Sequence, residues 1–295
     1  MPDAPTNLTA EGDGEDIALS WDDNSDDEYG FYVYRQAAGS KTFTQIDELP
    51  ANSTSYTDED LGTDADYEYK VTAFNDVGES DPSNIERAQT MPNAPSGLSA
   101  ECSGDDINLS WTDNSEVEDE YWIYRREAGA GSFTSIDTVD ANVTVYSDTD
   151  LGCCQDYEYK VTAYNSAGES ADSNNDSSLT APCAPSDLTA TGSGEDIDLA
   201  WTDNSDCEQG FKIYRRVTGS GSFAQIDTVG ENVTNYSDTG LGSEQNYEYK
   251  VTAYNDCGES DDSNTDGAVT IPAAPTSLMA IGSGTSIDLN WVDNS

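Results

Sequence analysis

The sequence predicts an all-β chain of tandem repeats, and three observations carry that expectation. A Trp-x-Asp-Asn-Ser motif recurs at Trp21, Trp111, Trp201 and Trp291, a constant step of 90 residues. Within each repeat, apolar side chains alternate with polar ones, the period of a strand that buries one face. Turn-rich stretches such as Glu11-Gly12-Asp13-Gly14 separate those runs, and no segment carries the 3.6-residue period of a helix. The 295 residues read as three complete repeats, 1–91, 92–181 and 182–271, followed by 272–295 as the opening of a fourth. That opening reaches Asn294-Ser295 after two strands, too few to bury a core, and is read as a truncated or unobserved continuation.

Each repeat begins on a proline and a leucine, Pro5 and Leu8 in the first, with equivalents at Pro95 and Leu98, Pro185 and Leu188, and Pro275 and Leu278. The run from Asp16 to Trp21 puts Ile17, Leu19 and Trp21 on one side and Asp16, Ala18 and Ser20 on the other. The alternation returns as Ile107, Leu109 and Trp111 and as Ile197, Leu199 and Trp201. The next strand buries Phe31 and Val33. Its other face is the outer one, because Tyr32 is replaced by Lys212 in the third repeat and lysine rarely sits in a core. Tyr-Glu-Tyr-Lys-Val-Thr-Ala segments begin at Tyr67, Tyr157 and Tyr247, and Gly78, Gly168 and Gly258 follow them. In the first, Tyr67, Tyr69, Val71 and Ala73 are expected inside, with Glu68, Lys70 and Thr72 facing water.

These landmarks resemble the fibronectin type III domain. The resemblance rests on Pro5 and Leu8, on Trp21 in the second strand, on Leu61-Gly62 to Tyr67, on Tyr69-x-Val71-x-Ala73, and on Asn75 and Gly78, and it covers essentially the whole chain. It implies that each repeat is an immunoglobulin-like sandwich of two antiparallel sheets, with strands lettered A-B-E and C′-C-F-G. It also implies a tyrosine corner in which Tyr67, Tyr157 and Tyr247 bond their hydroxyls back to the preceding backbone. The fold serves recognition and spacing in many settings, so it does not name a function.

On that topology, outward Tyr34, Tyr124 and Tyr214 of strand C are expected to neighbour outward Phe74, Tyr164 and Tyr254 of strand F, with Trp122 enlarging the second pair. Such pairs would form a platform for sugar rings or a neighbouring fibre, or simply cross-strand packing of ~0.2 to 1 kcal/mol each. The six cysteines gather near one joint. Cys102 falls in the A-B loop of the second repeat, Cys153 and Cys154 in its E-F loop, and Cys183 in the linker beyond. Cys207 and Cys257 lie in the B-C and F-G loops of the third repeat. The implied pairing is Cys207 with Cys257, Cys102 with one of Cys153 and Cys154, and Cys183 with the other. Disulfides belong to exported compartments. The linkers place two prolines within four residues, Pro92 and Pro95, Pro182 and Pro185, and Pro272 and Pro275, which favours short, restricted joints.

Composition excludes whole classes of function. With 59 acidic and 11 basic residues, the net charge of −48 repels a nucleic-acid backbone and an anionic bilayer alike. Histidine is absent, which removes imidazole general bases and His-liganded zinc, and no enzyme is expected. Seventeen tyrosines and five tryptophans at regular positions supply the core that a disordered acidic tail lacks. No apolar run is long enough to span a membrane, and Met1-Pro2-Asp3 leads straight into domain sequence, so a signal peptide is expected to be missing or removed.

The acidity matches proteins of salt-saturated environments, where screening removes self-repulsion. The rival is calcium at Asp22-Asp23-Asn24-Ser25-Asp26-Asp27-Glu28 or at the joints, although the order of an EF-hand is not met. No other cofactor is expected. Sequons at Asn52, Asn142 and Asn232 recur at one repeat position and are the first candidates for a glycan. The expected role is a structural and adhesive array in a surface protein, filament or virus tail fibre of a halophilic microbe, outside the cell or on a virion. Its partner would be a protein or glycan, with self-association into a fibre as one form. The alternative is an accessory carbohydrate-binding or spacer region of a secreted polysaccharide-degrading enzyme.

Overall fold

The computed structural model describes residues 1–272 and 274–293. Ala273 in the last joint and Asn294-Ser295 at the end of the fourth repeat lie outside the described residues. Alternation of apolar and polar side chains produces strands throughout. The first repeat consists of β1 (Thr6–Asp13), β2 (Asp16–Asp22), β3 (Gly30–Ala37), β4 (Thr44–Pro50), β5 (Ser55–Asp58), β6 (Asp66–Asn75), β7 (Gly78–Glu79) and β8 (Glu86–Gln89). The second follows with β9 (Ser96–Ser103), β10 (Asp106–Thr112), β11 (Glu120–Glu127), β12 (Thr134–Asp140), β13 (Val145–Asp148), β14 (Asp156–Asn165), β15 (Gly168–Glu169) and β16 (Asp176–Leu179). The third has β17 (Ser186–Ser193), β18 (Asp196–Thr202), β19 (Gly210–Val217), β20 (Ala224–Gly230), β21 (Asn235–Asp238), β22 (Asn246–Tyr254) and β23 (Asp266–Val269). The fourth opens with β24 (Thr276–Ser283) and β25 (Ser286–Val292).

One sheet of the first repeat runs β1-β2-β5 and the other β4-β3-β6-β7, with β8 also on β6. The third repeat matches it as β17-β18-β21 and β20-β19-β22-β23, and every pairing is antiparallel. Registers bring inward residues opposite each other, Val33 against Val71 and Phe31 against Ala73. Ile17, Leu19, Trp21, Phe31, Val33, Tyr69, Val71 and Ala73 form one buried cluster, closed by Leu8 and Ala88. A bulge interrupts β1 against β2 between Thr6 and Thr9, and Asn7 there takes φ 54°. Gly97, Asp187 and Ser277 repeat the positive φ at 90-residue steps. This is the strand-bending device expected where one extra residue must be absorbed.

By compactness the chain divides into two units. One comprises Met1–Ala100, Leu109–Tyr146 and Tyr157–Ser177, and the other Glu101–Asn108, Ser147–Asp156 and Ser178–Ser295. The first holds the first repeat whole, and the second holds the third repeat and the β24–β25 hairpin. Leu278, Ile287, Leu289 and Trp291 of that hairpin are exposed, because two strands alone cannot cover a face.

Two expectations for β6 are corrected. Thr72 is buried instead of facing water, since β7 folds back along β6 and the Thr72 hydroxyl donates to Glu79 Oε1 at 2.7 Å. The corner expected at Tyr67 is built around Tyr69. The Tyr67 ring is half-buried beneath the Arg35 guanidinium, 4.6 Å from its centroid, while Tyr69 is fully buried and its hydroxyl donates to Asp58 Oδ2 at 2.9 Å. Arg35 Nη1 donates to the same oxygen at 2.7 Å, so a charged acceptor fixed at the end of β5 takes the place of a backbone carbonyl. Tyr249, Arg215 and Asp238 repeat the arrangement in the third repeat.

Asp58 is buried, and its removal would strand a buried hydroxyl and a half-buried guanidinium, a loss of about 3 kcal/mol. Asp58→Ala is therefore expected to lower hydrogen-exchange protection of the β6 amides by roughly 100-fold in the whole chain. Protection of the β22 amides serves as the unchanged internal control.

Candidate functional site

The contacts that join one repeat to the next are the most elaborately built part of the chain. Two chain segments prepare each joint. In the Trp-x-Asp-Asn-Ser turn, Asp23 Oδ1 accepts from the Ser25 amide at 3.0 Å, and Asp113 and Asp203 do the same for Ser115 and Ser205, an Asx turn in each repeat. The asparagine then reaches into the linker: Asn24 Nδ2 donates to the carbonyl of Ala4, Asn114 to that of Ala94, and Asn204 to that of Ala184, each at 2.8 Å. Ala94 and Ala184 lie between the paired prolines, so the motif pins a segment already restricted in φ.

At the first joint, within the first compact unit, the remaining ties are non-covalent. Asp64, in the turn between β5 and β6, accepts from Ser115 Oγ at 2.6 Å and from the Glu116 amide at 2.9 Å. Thr63 Oγ1 donates to Asn93 Oδ1. The buried Asn165 side chain donates to the carbonyls of Thr90 at 2.9 Å and Val117 at 3.0 Å, and the Gly14 amide donates to the Ala167 carbonyl at 2.9 Å.

At the second joint, within the second compact unit, cysteines occupy the same positions 90 residues on. Thr63 and Asn93 become Cys153 and Cys183, which are bonded to each other. Asp64 becomes Cys154, which is bonded to Cys207 and lies 3.0 Å from Ser205 Oγ. Asn255 Nδ2 donates to the Thr180 carbonyl at 3.0 Å, as Asn165 does to Thr90. The pairing expected between Cys207 and Cys257 is not formed. The loop that carries Cys207 faces the turn of the preceding repeat, as Ser115 faces Asp64, and this brings Cys207 to Cys154. Cys102 is bonded to neither Cys153 nor Cys154, and both it and Cys257 remain thiols.

The outer aromatic row also differs from expectation. Tyr34 lies opposite Lys70 in the register of β3 and β6, and Gly30 lies opposite Phe74. Phe74 therefore stacks on Tyr32, with centroids 4.2 Å apart and planes 8° from parallel. In the second repeat Tyr164 stacks on Trp122 at 5.1 Å, and in the third the Lys212 ammonium stands 5.3 Å over Tyr254. Tyr34, Tyr124 and Tyr214 each donate a hydroxyl hydrogen bond to Glu79, Glu169 and Glu259, at 2.7, 2.6 and 2.6 Å.

Asn52, Asn142 and Asn232 are exposed turn residues with φ of 64°, 63° and 58°. Their amides donate to the buried Glu28, Glu118 and Glu208. Asparagine tolerates that left-handed conformation better than most residues, which is a backbone reason for its recurrence. Four carboxylates of the first acidic turn are engaged locally, Asp22 by Asn7, Asp23 by the Ser25 amide, Asp27 by the Ser25 hydroxyl and Glu28 by the Asn52 amide. Among the described residues, no group of three or more His, Cys, Asp and Glu side chains is arranged to hold a metal ion.

The model of the fibronectin type III domain matches residues 3–89, 93–178 and 183–266. The chain belongs to the fibronectin type III family. Its three matched domains abut at the two joints described above. Relatives include M-protein of striated muscle from Gallus gallus, 25% identical over 93% of this chain and 21% of its own length. Exoglucanase B from Cellulomonas fimi is 27% identical over 87% of this chain and 24% of its own length. Neural cell adhesion molecule L1.1 from Danio rerio is 28% identical over 78% of this chain and 22% of its own length. The chain thus spans under a quarter of each of these fibronectin type III relatives.

The tyrosine–glutamate bonds on the outer sheet give a titration signature. Burial first, and then the hydrogen bond and charge of the partner glutamate, push Tyr34, Tyr124 and Tyr214 up to about 12. A tyrosine raised in the fold favours its neutral form there, so its stabilising contribution is present below pH 10 and is lost as pH climbs through 12. Phenolate absorbance is expected to show these three tyrosines ionising well after exposed ones. Glu79→Gln is expected to return Tyr34 part of the way towards 10, leaving the share due to burial.

Proposed function

We propose that the chain is a non-catalytic structural and adhesive segment of an extracellular or cell-surface protein, a run of sandwiches that holds other parts at set spacing. The construction of the joints carries this reading. Prolines, the Asn-to-linker bonds and, at the second joint, Cys154–Cys207 all restrain the passage from one repeat to the next. Two disulfides also fit an exported protein. Relatives named for striated muscle and for neural cell adhesion support a mechanical or adhesive setting. A second reading, an accessory region of a secreted polysaccharide-degrading enzyme, is favoured by the likeness to Exoglucanase B over most of the chain.

The charge belongs to the same proposal. Arg35, Arg87, Arg126, Lys160, Lys212, Arg215, Arg216 and Lys250 each pair with a carboxylate. Most of the eleven cations are thereby committed to local partners, and the excess of acid is left to solvent and counterions. We read this as adaptation to concentrated salt, where the Debye length shrinks to ~3 Å.

Two experiments test the proposal. The melting temperature is expected to rise between millimolar and molar NaCl. A melt indifferent to NaCl but raised sharply by millimolar calcium would replace the salt reading with metal sites. Sedimentation with insoluble cellulose, chitin and xylan is expected to leave the chain in the supernatant. Retention that is lost in Trp122→Ala would instead favour the polysaccharide-associated reading.

A further inference from the structure

The two joints are related position by position, and the relation has a third member. Thr63 with Asn93 becomes the Cys153–Cys183 disulfide, and Asp64 with its facing loop becomes Cys154–Cys207. The third contact of the first joint is between Gly12 and Ala167. A Cβ placed on Gly12 would meet the Gln89 carbonyl oxygen at 2.0 Å and the Ala167 Cβ at 2.5 Å, so the end of β1 and the loop after β6 lie side by side at these positions. Ninety residues on, they are Cys102 and Cys257. Cys257 Sγ donates to the Gly104 carbonyl oxygen at 3.7 Å, which places it beside the chain two residues beyond Cys102. Both thiols are partly exposed, so a small reagent can reach them.

We infer that Cys102 and Cys257 are the two halves of a third disulfide, which staples the end of β9 in the second repeat to the loop after β22 in the third. The inference stands on the pairing of positions and not on the proposed role. Closure proceeds by exchange with a low-molecular-weight disulfide. The Cys102 thiolate attacks one sulfur of that disulfide, its S–S bond breaks, and one thiolate leaves. Cys257 then gives up its proton to solvent and attacks Cys102 Sγ, expelling the second thiolate. Two protein thiols are oxidised and one external disulfide is reduced to two thiols.

Burial first, and then the Cys102 thiol, push Cys257 up to about 12, with Asp105 adding to the rise and a backbone hydrogen bond at Gly104 opposing it. Cys257 therefore holds its proton more tightly than an ordinary thiol does. With Cys154–Cys207 already in place, the new bond would give this joint two covalent crossings. A single crossing leaves the loops able to turn about it, and a second at a different loop removes that freedom.

The test is alkylation and non-reducing peptide mapping of the whole folded chain, before and after equilibration with oxidised glutathione. The expected result is a peptide linking Cys102 to Cys257, alkylation of both falling roughly tenfold or more, and Cys153–Cys183 and Cys154–Cys207 unchanged. In Cys102→Ser, Cys257 is expected to stay alkylatable or to carry glutathione. A native chain in which both thiols remain alkylatable after equilibration, carry separate glutathiones, or are linked to other cysteines would overturn the inference.

Discussion

One backbone conformation decides where each repeat can grip the next. In the turn before the longest strand, Asp64 and Cys154 take φ of 62° and 52°, in the left-handed region that side chains other than glycine rarely adopt. The turn is held from both sides. Its backbone amide donates to a linker carbonyl, Asp64 to Met91 and Cys154 to Ala181, each at 2.9 Å, while its side chain points to the loop after the second strand of the following repeat. The linker is thus fixed at one end by this amide and at the other by the asparagine of the Trp-x-Asp-Asn-Ser turn. Pro92 and Pro182 lie between these anchors, and Pro95 and Pro185 follow the second one, so φ is restricted on both sides of it.

The two joints use this frame with different strengths. Hydrogen bonds at a partly exposed surface contribute about 1 kcal/mol each, so the first joint is held by the sum of several weak ties. A disulfide contributes ~2 to 4 kcal/mol through the freedom it removes from the opened chain, and the second joint carries such bonds over separations of 30 and 53 residues. The same positions therefore give a contact that can open locally in one place and a covalent one in the next. No change of fold is needed, since the cysteines sit on turns, loops and linker residues that already meet in the first joint.

Strand identity was legible in the sequence because a period of two separates the faces of a sheet, and Ile17, Leu19, Trp21, Phe31 and Val33 all lie where that period puts them. The same period says nothing about rows within a face. Tyr32 and Tyr34 both point outward, and only the register of Gly30 against Phe74 places the stack at Tyr32. Tyr67 and Tyr69 both point inward, and the position of Asp58 selects the second for the buried hydrogen bond. Thr72 occupies an outward position and is buried by the short return of β7, a tertiary event with no local signature. The cysteine partners depended on which loops of successive repeats meet. Placing the repeats in alignment exposes that signal, because Asp64, Ser115, Gly12 and Ala167 mark the contacts in the joint without cysteines.

The outer face of the larger sheet of each repeat gathers the scarce cations. Lys70 stands between the rings of Tyr34 and Phe43, at 4.9 and 5.0 Å, Lys160 between Tyr124 and Phe133, and Lys250 between Tyr214 and Phe223. Arg126 and Arg216 cover Phe133 and Phe223 at 4.3 and 4.4 Å while pairing with Glu158 and Glu248. Tyr34, Phe43, Tyr124, Phe133, Tyr214 and Phe223 are thereby matched to cations, while Tyr32 with Phe74 and Trp122 with Tyr164 stack on each other. Ring faces occupied in this way are poorly placed to receive a sugar, because a ligand would have to displace the cation first. Cohesion of the sheet accounts for the aromatic residues more directly than recognition does. The joints, where side chains of one repeat are spent on the backbone and side chains of the next, are where the sequence departs from what a single sandwich needs.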